Sequence, residues 1–352
     1  MSLSSNASNV LLAKCRAKFG RHLTEQDVNT MVNCRTISEV TACLKSNEHY
    51  GPMLSDVDES SVYRRRIEFL IEQGFYQELS TLCRYELQVG EWFSSYALMK
   101  GEIKLIMSFL RQLAAGHPDE LIFSLPELFL QRSDIDFPAL LECRSFAEFL
   151  QIMDKTRFGK VLRVYVPTTG KQPDFAMLEH ALYDEFYNTI FEIINKHYSG
   201  SARDELTELL GLQLDLDTFS HIYRLKKYYR ADPAMIRTML LGRTTHIGRS
   251  TLDALIAAPD ADTALEIFSQ RTVYRRKLDL TRVRECGIEA AVNSIVYEKA
   301  LRLLRTSVNP TTVLLSYITL AETETRDIVT IVEGVFYKLS ADEIKQLITI
   351  NC

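Results

Sequence analysis

The chain has 352 residues, 46% of them hydrophobic and 25% charged, a composition that is typical of an ordinary soluble protein and sufficient to bury a real core. Its formal net charge is -5, with 41 Lys plus Arg against 46 Asp plus Glu, which disfavours a nucleic-acid partner. We expect neither a transmembrane helix nor a secretory signal, because apolar runs are short and residues 1–9 are rich in Ser and Asn.

The cysteines indicate a reducing compartment. All seven are widely spread, and no two of them form a CxxC pair. This pattern is typical of reduced thiols and not of a disulfide framework. We therefore expect a cytoplasmic chain in which most cysteines are small buried hydrophobes.

A predicted helix start occurs early in the chain and recurs twice. The three copies are DVNTMVNCRTISEVTACL at 27–44, DFPALLECRSFAEFLQIM at 136–153 and, more weakly, TLDALIAAPDADTALEIF at 251–268. Thr36, Ser145 and Asp260 are the predicted N-caps, and in the first two copies a glutamate follows three residues later, as in a capping box. Pro259 replaces the arginine that precedes the other two caps. An aromatic residue follows each cap after 13 or 14 positions: Tyr50, Phe158 and Tyr274.

A second motif, an acid followed four and seven residues later by apolar residues, also occurs three times. Its acids are Glu102, Asp215 and Glu324. Nine positions after the acid stand Arg111, Arg224 and, in the third copy, Glu333. A single active site needs different groups that converge, so threefold repetition argues against general acid–base catalysis. We expect these acids either to pair with another segment or to be solvated at helix starts.

The segments between these motifs carry apolar residues at helical spacing, for example Ile67, Leu70 and Ile71. Only 161–166, VLRVYV, alternates like a strand, which predicts one short extended piece there. Gly and Pro collect at junctions such as 116–118, which are candidate boundaries. The sequence thus predicts an all-α fold of three homologous helical subdomains, at 1–117, 118–242 and 243–352.

Linear motifs for catalysis or for a bound cofactor are missing. Gly170-Lys171 lacks the preceding glycine and the following hydroxyl residue of a phosphate-binding loop. The seven histidines never lie at the HxxxH spacing of a metal site. Cys143 shares its place in the repeat with Cys34, which indicates packing rather than a nucleophile. We predict no catalytic residue, no metal and no cofactor.

Three short basic clusters stand out, one of them mixed with tyrosines. Basic cluster 1 is Arg64, Arg65 and Arg66; basic cluster 2 is Tyr223, Arg224, Lys226, Lys227, Tyr228, Tyr229 and Arg230; basic cluster 3 includes Arg275 and Arg276. Each is either a solvated helix face or part of a docking surface. A mixture of Tyr and Arg is typical of binding hot spots, because Arg pairs with carboxylates in two directions and both side chains pack well. These residues are our candidates for partner binding.

Three segments are similar to the recurring motifs of the C subunit of V-type ATPases, which is called the d subunit in eukaryotes. They are NVLLAKCRAKFGRHLTEQDVNTMVNCRTISEVTACL at 9–44, DLDTFSHIYRLKKYYRADPAMI at 215–236 and ETETRDIVTIVEGVFYKLSADEIKQLI at 322–348. In that family the acid is usually followed by Asn three residues later, then by an apolar residue and Arg. Here Leu105, Thr218 and Asp327 hold the Asn place. The resemblance spans nearly the full chain and depends on the order and threefold recurrence of the motifs.

The resemblance implies a non-catalytic adaptor in the central rotor of an ion-translocating ATPase. It implies three helical subdomains around a pseudo-threefold axis, which form a funnel. The hollow would receive the central stalk, made of the D and F subunits, and one end would rest on the membrane rotor ring, so that torque passes between them. The membrane stator subunit is a further candidate partner. The chain would be peripheral, held at the cytoplasmic face of a membrane through partner subunits, and the transported ion, proton or sodium, would be set in the ring.

The residues alone leave two other classes open. One is a helical-repeat scaffold that binds a peptide on a concave face, although units of about 110 residues exceed the usual 20 to 45 of solenoids. The other is an enzyme with a pocket between subdomains, which a convergent cluster of His, Cys and acids in the folded chain would favour.

Overall fold

The computed structural model describes the chain at residues 3–58, 63–88, 93–116, 132–167, 172–240, 244–275, 277–278 and 280–350. These residues form helices joined by loops and include no β-strand, which confirms the all-α prediction. Within the same stretches, no helix is both long and apolar enough to cross a membrane.

Short helices followed by two long ones occur three times along the described chain. The first set is α1 (Leu3–Phe19), α2 (Glu25–Val32), α3 (Ile37–Ser46), a 3-10 turn (Gly51–Leu54), α4 (Arg64–Gln88) and α5 (Ser94–Ala115). The second set is α6 (Phe137–Glu142), α7 (Phe146–Met153), α8 (Gly159–Tyr165), α9 (Phe175–His197) and α10 (Gly200–Tyr229). After α11 (Pro233–Thr238), the third set is α12 (Arg249–Ala257), α13 (Ala261–Arg271), α14 (Leu280–Thr306), α15 (Pro310–Phe336) and α16 (Ala341–Leu347).

The three predicted helix starts are confirmed. The side chains of Thr36, Ser145 and Asp260 each accept a hydrogen bond from the backbone N–H three residues on, at 3.2, 3.2 and 2.7 Å. In the first two copies the glutamate at that position accepts in turn from the N–H of the arginine before the cap. Pro259 has no N–H to donate, and Thr263 stands where the other copies have glutamate. The two differences in the third copy therefore compensate each other.

The extended piece predicted at 161–166 is wrong, because these residues lie in α8 and at its C-cap. Leu162 and Val166, four residues apart, are buried, whereas Val164 is 74% exposed. This is the periodicity of a helix with one apolar face. Six residues that alternate are too few to distinguish a strand from a short helix.

Three buried hydrophobic clusters form the core, and each one joins helices that are distant in sequence. The largest includes α5, α7 and α9, where Phe109 stacks on Phe149 at 5.6 Å between ring centroids. The second joins α10 to α13 and α14, where Phe219 stacks on Phe268 at 3.8 Å. The third joins α2, α3 and the start of α4 to the second half of α15 and to α16. The third cluster therefore packs the beginning of the described chain against its end.

Candidate functional site

Glu324 of α15 is buried and is held by the first copy of the repeat. Its Oε1 accepts the Tyr50 hydroxyl at 2.7 Å and the Leu23 N–H at 3.2 Å, and its Oε2 lies 3.1 Å from Nδ1 of His22. A buried carboxylate is tolerated only when such donors replace its water. Burial and the neighbouring carboxylate raise the pKa of Tyr50 well above its usual range, so its hydroxyl stays protonated as a donor. We call this contact the Glu324 seam.

Asp215 of α10 makes the corresponding contact with the third copy of the repeat, which we call the Asp215 seam. It is fully buried and accepts the Tyr274 hydroxyl at 2.8 Å. The backbone N–H groups of Thr245 and His246 also donate to it, at 2.8 and 2.7 Å. Tyr274 and Tyr50 are the aromatic residues that follow the first-motif helix in their copies. The two seams therefore use the same side chains for the same purpose.

Glu102 of α5 faces the second copy, where the aromatic position holds Phe158 and has no hydroxyl. In this Glu102 seam, a hydroxyl from another residue and the positive charge of an arginine take the place of the missing donor. Ser133 donates its hydroxyl to Glu102 at 2.5 Å, and Nε of Arg157 lies 3.6 Å from the other carboxylate oxygen. Burial raises the pKa of Glu102, and Arg157 and Ser133 oppose that shift. Of the two alternatives for the three acids, pairing with another segment is confirmed and solvation is wrong.

The residue nine positions after each acid forms an ion pair with the following set of helices. Arg111 pairs with Glu179 at 3.0 Å, Arg224 with Glu289 at 3.3 Å and Glu333 with Arg64 at 3.4 Å. The third pair links the last long helix, α15, to α4 of the first set. Glu333 replaces the arginine of the other two copies, and its partner is an arginine where the partner in those copies is a glutamate. The pair persists with its charges reversed.

A cavity of about 680 Å³ lies between the three pairs of long helices, α4 and α5, α9 and α10, and α14 and α15. The residues two positions before each acid and two positions after it line this cavity: Lys100, Gln213, Glu322, Lys104, Asp217 and Arg326. Two residues correspond to about 200° around a helix, so a side chain at this distance points away from the acid. Each of these helices therefore holds a seam on one face and the cavity on the other.

The cavity wall is polar, with five acids and three bases among its lining residues. Lys100 binds Glu322 at 2.7 Å; burial lowers its pKa, but the ion pair outweighs burial and the net shift is upward. Asp217 is exposed to the solvent of the cavity, yet the protein around the cavity desolvates its carboxylate enough to raise its pKa to about 6. Lys100, Arg326 and the Tyr187 hydroxyl oppose that shift. The cavity thus carries more negative than positive groups.

The basic clusters are only partly at the surface. In basic cluster 1, Arg64 is half-buried in its ion pairs, while Arg65 and Arg66 are exposed. In basic cluster 3, Arg275 is exposed and Arg276 lies outside the described residues. Among the described residues, no cavity is lined by residues from more than one of the three basic clusters.

Basic cluster 2 divides into a buried part and an exposed part. Tyr223 is buried, and Lys226 donates to the backbone carbonyls of Ile256 and Ala258 at 2.8 and 2.5 Å, which holds the end of α12. Arg224 is exposed but engaged with Glu289. The exposed residues at the end of the helix, which we call the α10 tip, are Lys227, Tyr228, Tyr229 and Arg230, and Lys227 also donates to the Tyr223 hydroxyl at 3.4 Å.

Linear spacing did not predict one cluster of polar residues. His22 and His49 stack with ring centroids 4.0 Å apart, and Nε2 of His49 lies 3.4 Å from Glu78. Burial, and next the neighbouring His22, lower the pKa of His49 to about 4, so its imidazole is neutral at physiological pH. None of the three residues lines the cavity of about 680 Å³. No spacing rule could have found them, because they come from three separate segments.

Comparison with known proteins gives one consistent result. The profile of the ATP synthase (C/AC39) subunit family matches residues 11–347. The chain is similar to the C subunit of the A-type ATP synthase of Pyrococcus furiosus, with 22% identity over 344 residues, which are 96% of this chain and 88% of that protein. It is also similar to the C subunit of the A-type ATP synthase of Pyrococcus horikoshii, with 19% identity over 352 residues and the same coverage. The matched range includes all three seams.

Proposed function

Because the chain belongs to the ATP synthase (C/AC39) subunit family, we propose that it is a non-catalytic central-rotor adaptor. In this role it couples the central stalk, made of the D and F subunits, to the membrane rotor ring of a V-type ion-translocating ATPase and transmits torque between them. The observation that carries the proposal is the cavity between three helix pairs, each of which is fastened to the next by a buried acid.

In this role the chain has three subdomains, at 1–117, 118–242 and 243–352, around a pseudo-threefold axis. Two kinds of contact support this arrangement. The buried acids link the first copy to the second, the second to the third and the third to the first. The ion pairs at Arg111, Arg224 and Glu333 follow the same cyclic order. A cyclic set of contacts is what a closed funnel requires, since an open row of three units has only two junctions.

Closure of the three subdomains into a funnel is needed for the chain to transmit torque. A stalk that turns inside the hollow pushes the subdomains apart, and an open chain would yield at its one unfastened junction. The Glu324 seam and the third hydrophobic cluster fasten that junction. The adaptor then turns as one body, because packed interiors deform little.

In this role the two polar surfaces of the chain have separate partners. The cavity, with its excess of acids, receives basic side chains from the end of the stalk. The α10 tip, in which Tyr228 and Tyr229 are 67% and 68% exposed beside two cations, contacts a second partner, the ring or the membrane stator subunit. The adaptor is thereby held at the cytoplasmic face of the membrane through protein contacts.

The test is a pull-down of the tagged chain from detergent-solubilised membranes of its own cells, with the bound subunits identified by mass spectrometry. We expect ring, stalk and catalytic subunits in one complex. The variant Lys227→Glu/Arg230→Glu should lose most of the ring or stator subunits, whereas Lys155→Glu/Lys160→Glu, which reverses two other exposed lysines, should retain them. Recovery of a soluble monomer without these subunits would instead favour the free helical-repeat scaffold.

A further inference from the structure

The Glu324 seam contains buried polar groups that its counterpart at Asp215 does without. His246 corresponds to His22, and Tyr274 corresponds to Tyr50. In both seams the tyrosine follows the histidine by 28 residues. The residue before the tyrosine is His49 in one seam but Val273, 63% exposed, in the other. Fastening the acid therefore requires no second histidine. Burying an additional imidazole beside a carboxylate is costly, so this group indicates a second role.

The additional residues converge on one point. The ligand atoms of His22, His49 and Glu78 all lie within 4.8 Å of one another. They come from the loop after α1, the loop after α3 and the middle of α4. Glu78 and His22 are buried, and His49 keeps only 9% of its side chain exposed. A small buried set of two imidazoles and one carboxylate is the ligand set of a zinc-type site.

The second shell also fits such a site. Nδ1 of His22 lies 3.1 Å from Oε2 of Glu324, so a carboxylate stands beside the nitrogen that would not bind the ion. Histidines that bind metals are usually oriented by a carboxylate in this way. The Tyr317 hydroxyl lies 3.1 Å from Nε2 of His22, beside the position of a fourth ligand.

We propose that His22, His49 and Glu78 bind a divalent transition-metal ion of the zinc class at the Glu324 seam, with Tyr317 or a water as the fourth ligand. Zinc-to-ligand distances of about 2.0–2.2 Å require the three side chains to close in by about 1 Å on binding. The ion ties together the loops after α1 and α3 and the helix α4. This inference does not depend on the proposed rotor role.

Lys18 is the internal competitor for this ion. Its Nζ lies 2.7 Å from Glu78 and supplies the positive charge that the ion would bring. The Lys18 side chain is 36% exposed, so its ammonium group can turn to solvent when the ion binds. Removing that ammonium group should strengthen metal binding, because two cations no longer compete for one carboxylate.

The test uses the full chain, treated with EDTA and then titrated with Zn²⁺ by calorimetry and with Co²⁺ by visible absorption. We expect one tight site per chain and the intense d–d bands of tetrahedral cobalt with nitrogen and oxygen ligands. His49→Gln and Glu78→Gln should each weaken binding by about 10–100-fold or more. Lys18→Met should tighten it by about tenfold. Circular dichroism confirms that each variant is folded.

One further pair of side chains needs its own control. Sγ of Cys34 lies 3.9 Å from Sγ of Cys43, and two thiols also bind zinc. Cys34→Ser should leave the stoichiometry at one and the cobalt spectrum unchanged. A thiolate charge-transfer band that Cys34→Ser abolishes would overturn the proposal. So would a folded wild-type chain that binds no Zn²⁺, or a Lys18→Met variant that binds no more tightly.

Discussion

Replacing Tyr50 by phenylalanine removes only the hydroxyl that donates to Glu324 at 2.7 Å. The carboxylate is 2% exposed, so water cannot take the place of the hydroxyl. A hydrogen bond to a buried charged group contributes about 1.5–3 kcal/mol, and the Leu23 N–H remains as a donor. We therefore expect Tyr50→Phe to lower the free energy of unfolding by about 2 kcal/mol.

The same substitution at Tyr274 provides an internal comparison, since its hydroxyl binds Asp215 at 2.8 Å. We expect a similar loss of about 2 kcal/mol there. Tyr228→Phe is the matched control, because Tyr228 is 67% exposed. The assay is urea unfolding followed by helical circular dichroism, with midpoint and slope compared for all three variants.

A double-mutant cycle isolates the contact itself. In a Glu324→Gln background the acceptor is neutral, and Tyr50→Phe should cost only about 1 kcal/mol. If Tyr50→Phe and Tyr228→Phe shift the urea midpoint equally, the hydroxyl contributes nothing and the seam is held by apolar packing alone.

Three other substitutions test the seams and the cavity by the same unfolding assay. Arg64→Glu should lower stability through repulsion with Glu333 and with Glu68, which also pairs with Arg64. Adding Glu333→Arg should recover the part that is lost at Glu333, and a double variant less stable than the single one would contradict the pairing. The pKa of Asp217 is about 6 in the folded chain and has its ordinary value of 3.8 in the unfolded chain. Between these two pH values the unfolded chain binds fewer protons than the folded chain, so this carboxylate reduces stability as pH rises from about 4 to 6. Asp217→Asn should therefore be more stable than wild type at pH 7 and equal to it below pH 4, and equal curves at both would refute the burial argument. In α10, a methyl group on Gly211 would lie 2.5 Å from Oγ1 of Thr245. Gly211→Ala should therefore lower the free energy of unfolding by about 1–3 kcal/mol, despite a gain of up to about 1 kcal/mol in helix propensity. An unchanged urea midpoint would show that Thr245 moves aside without strain.

The features that the sequence predicted well are local. The caps at Thr36, Ser145 and Asp260 depend on atoms three residues apart, and all three form as predicted. Helical periodicity over long segments likewise identified the all-α class. The one strand prediction, at 161–166, was wrong because six residues carry too little periodicity.

The partner-binding residues were predicted less completely. Composition and clustering selected basic cluster 2, but they could not separate the exposed Lys227 from the buried Lys226. Which side of a helix is covered depends on the helix that packs against it. The partner-binding role of the three clusters stays a prediction, and the pull-down tests it at the α10 tip of basic cluster 2.

By itself, the sequence determined that three acids recur in equivalent helices and that one copy carries Glu333 where the others carry arginine. Only the tertiary structure decided what these residues meet. Tyr50 lies 274 positions before Glu324, and Arg64 lies far before Glu333 in the same way. Such contacts form because apolar packing of α2, α3 and α4 against α15 brings the two ends of the chain together. Hydrophobic burial is non-directional, so its pattern in the sequence shows which faces are covered but not which distant segment covers them.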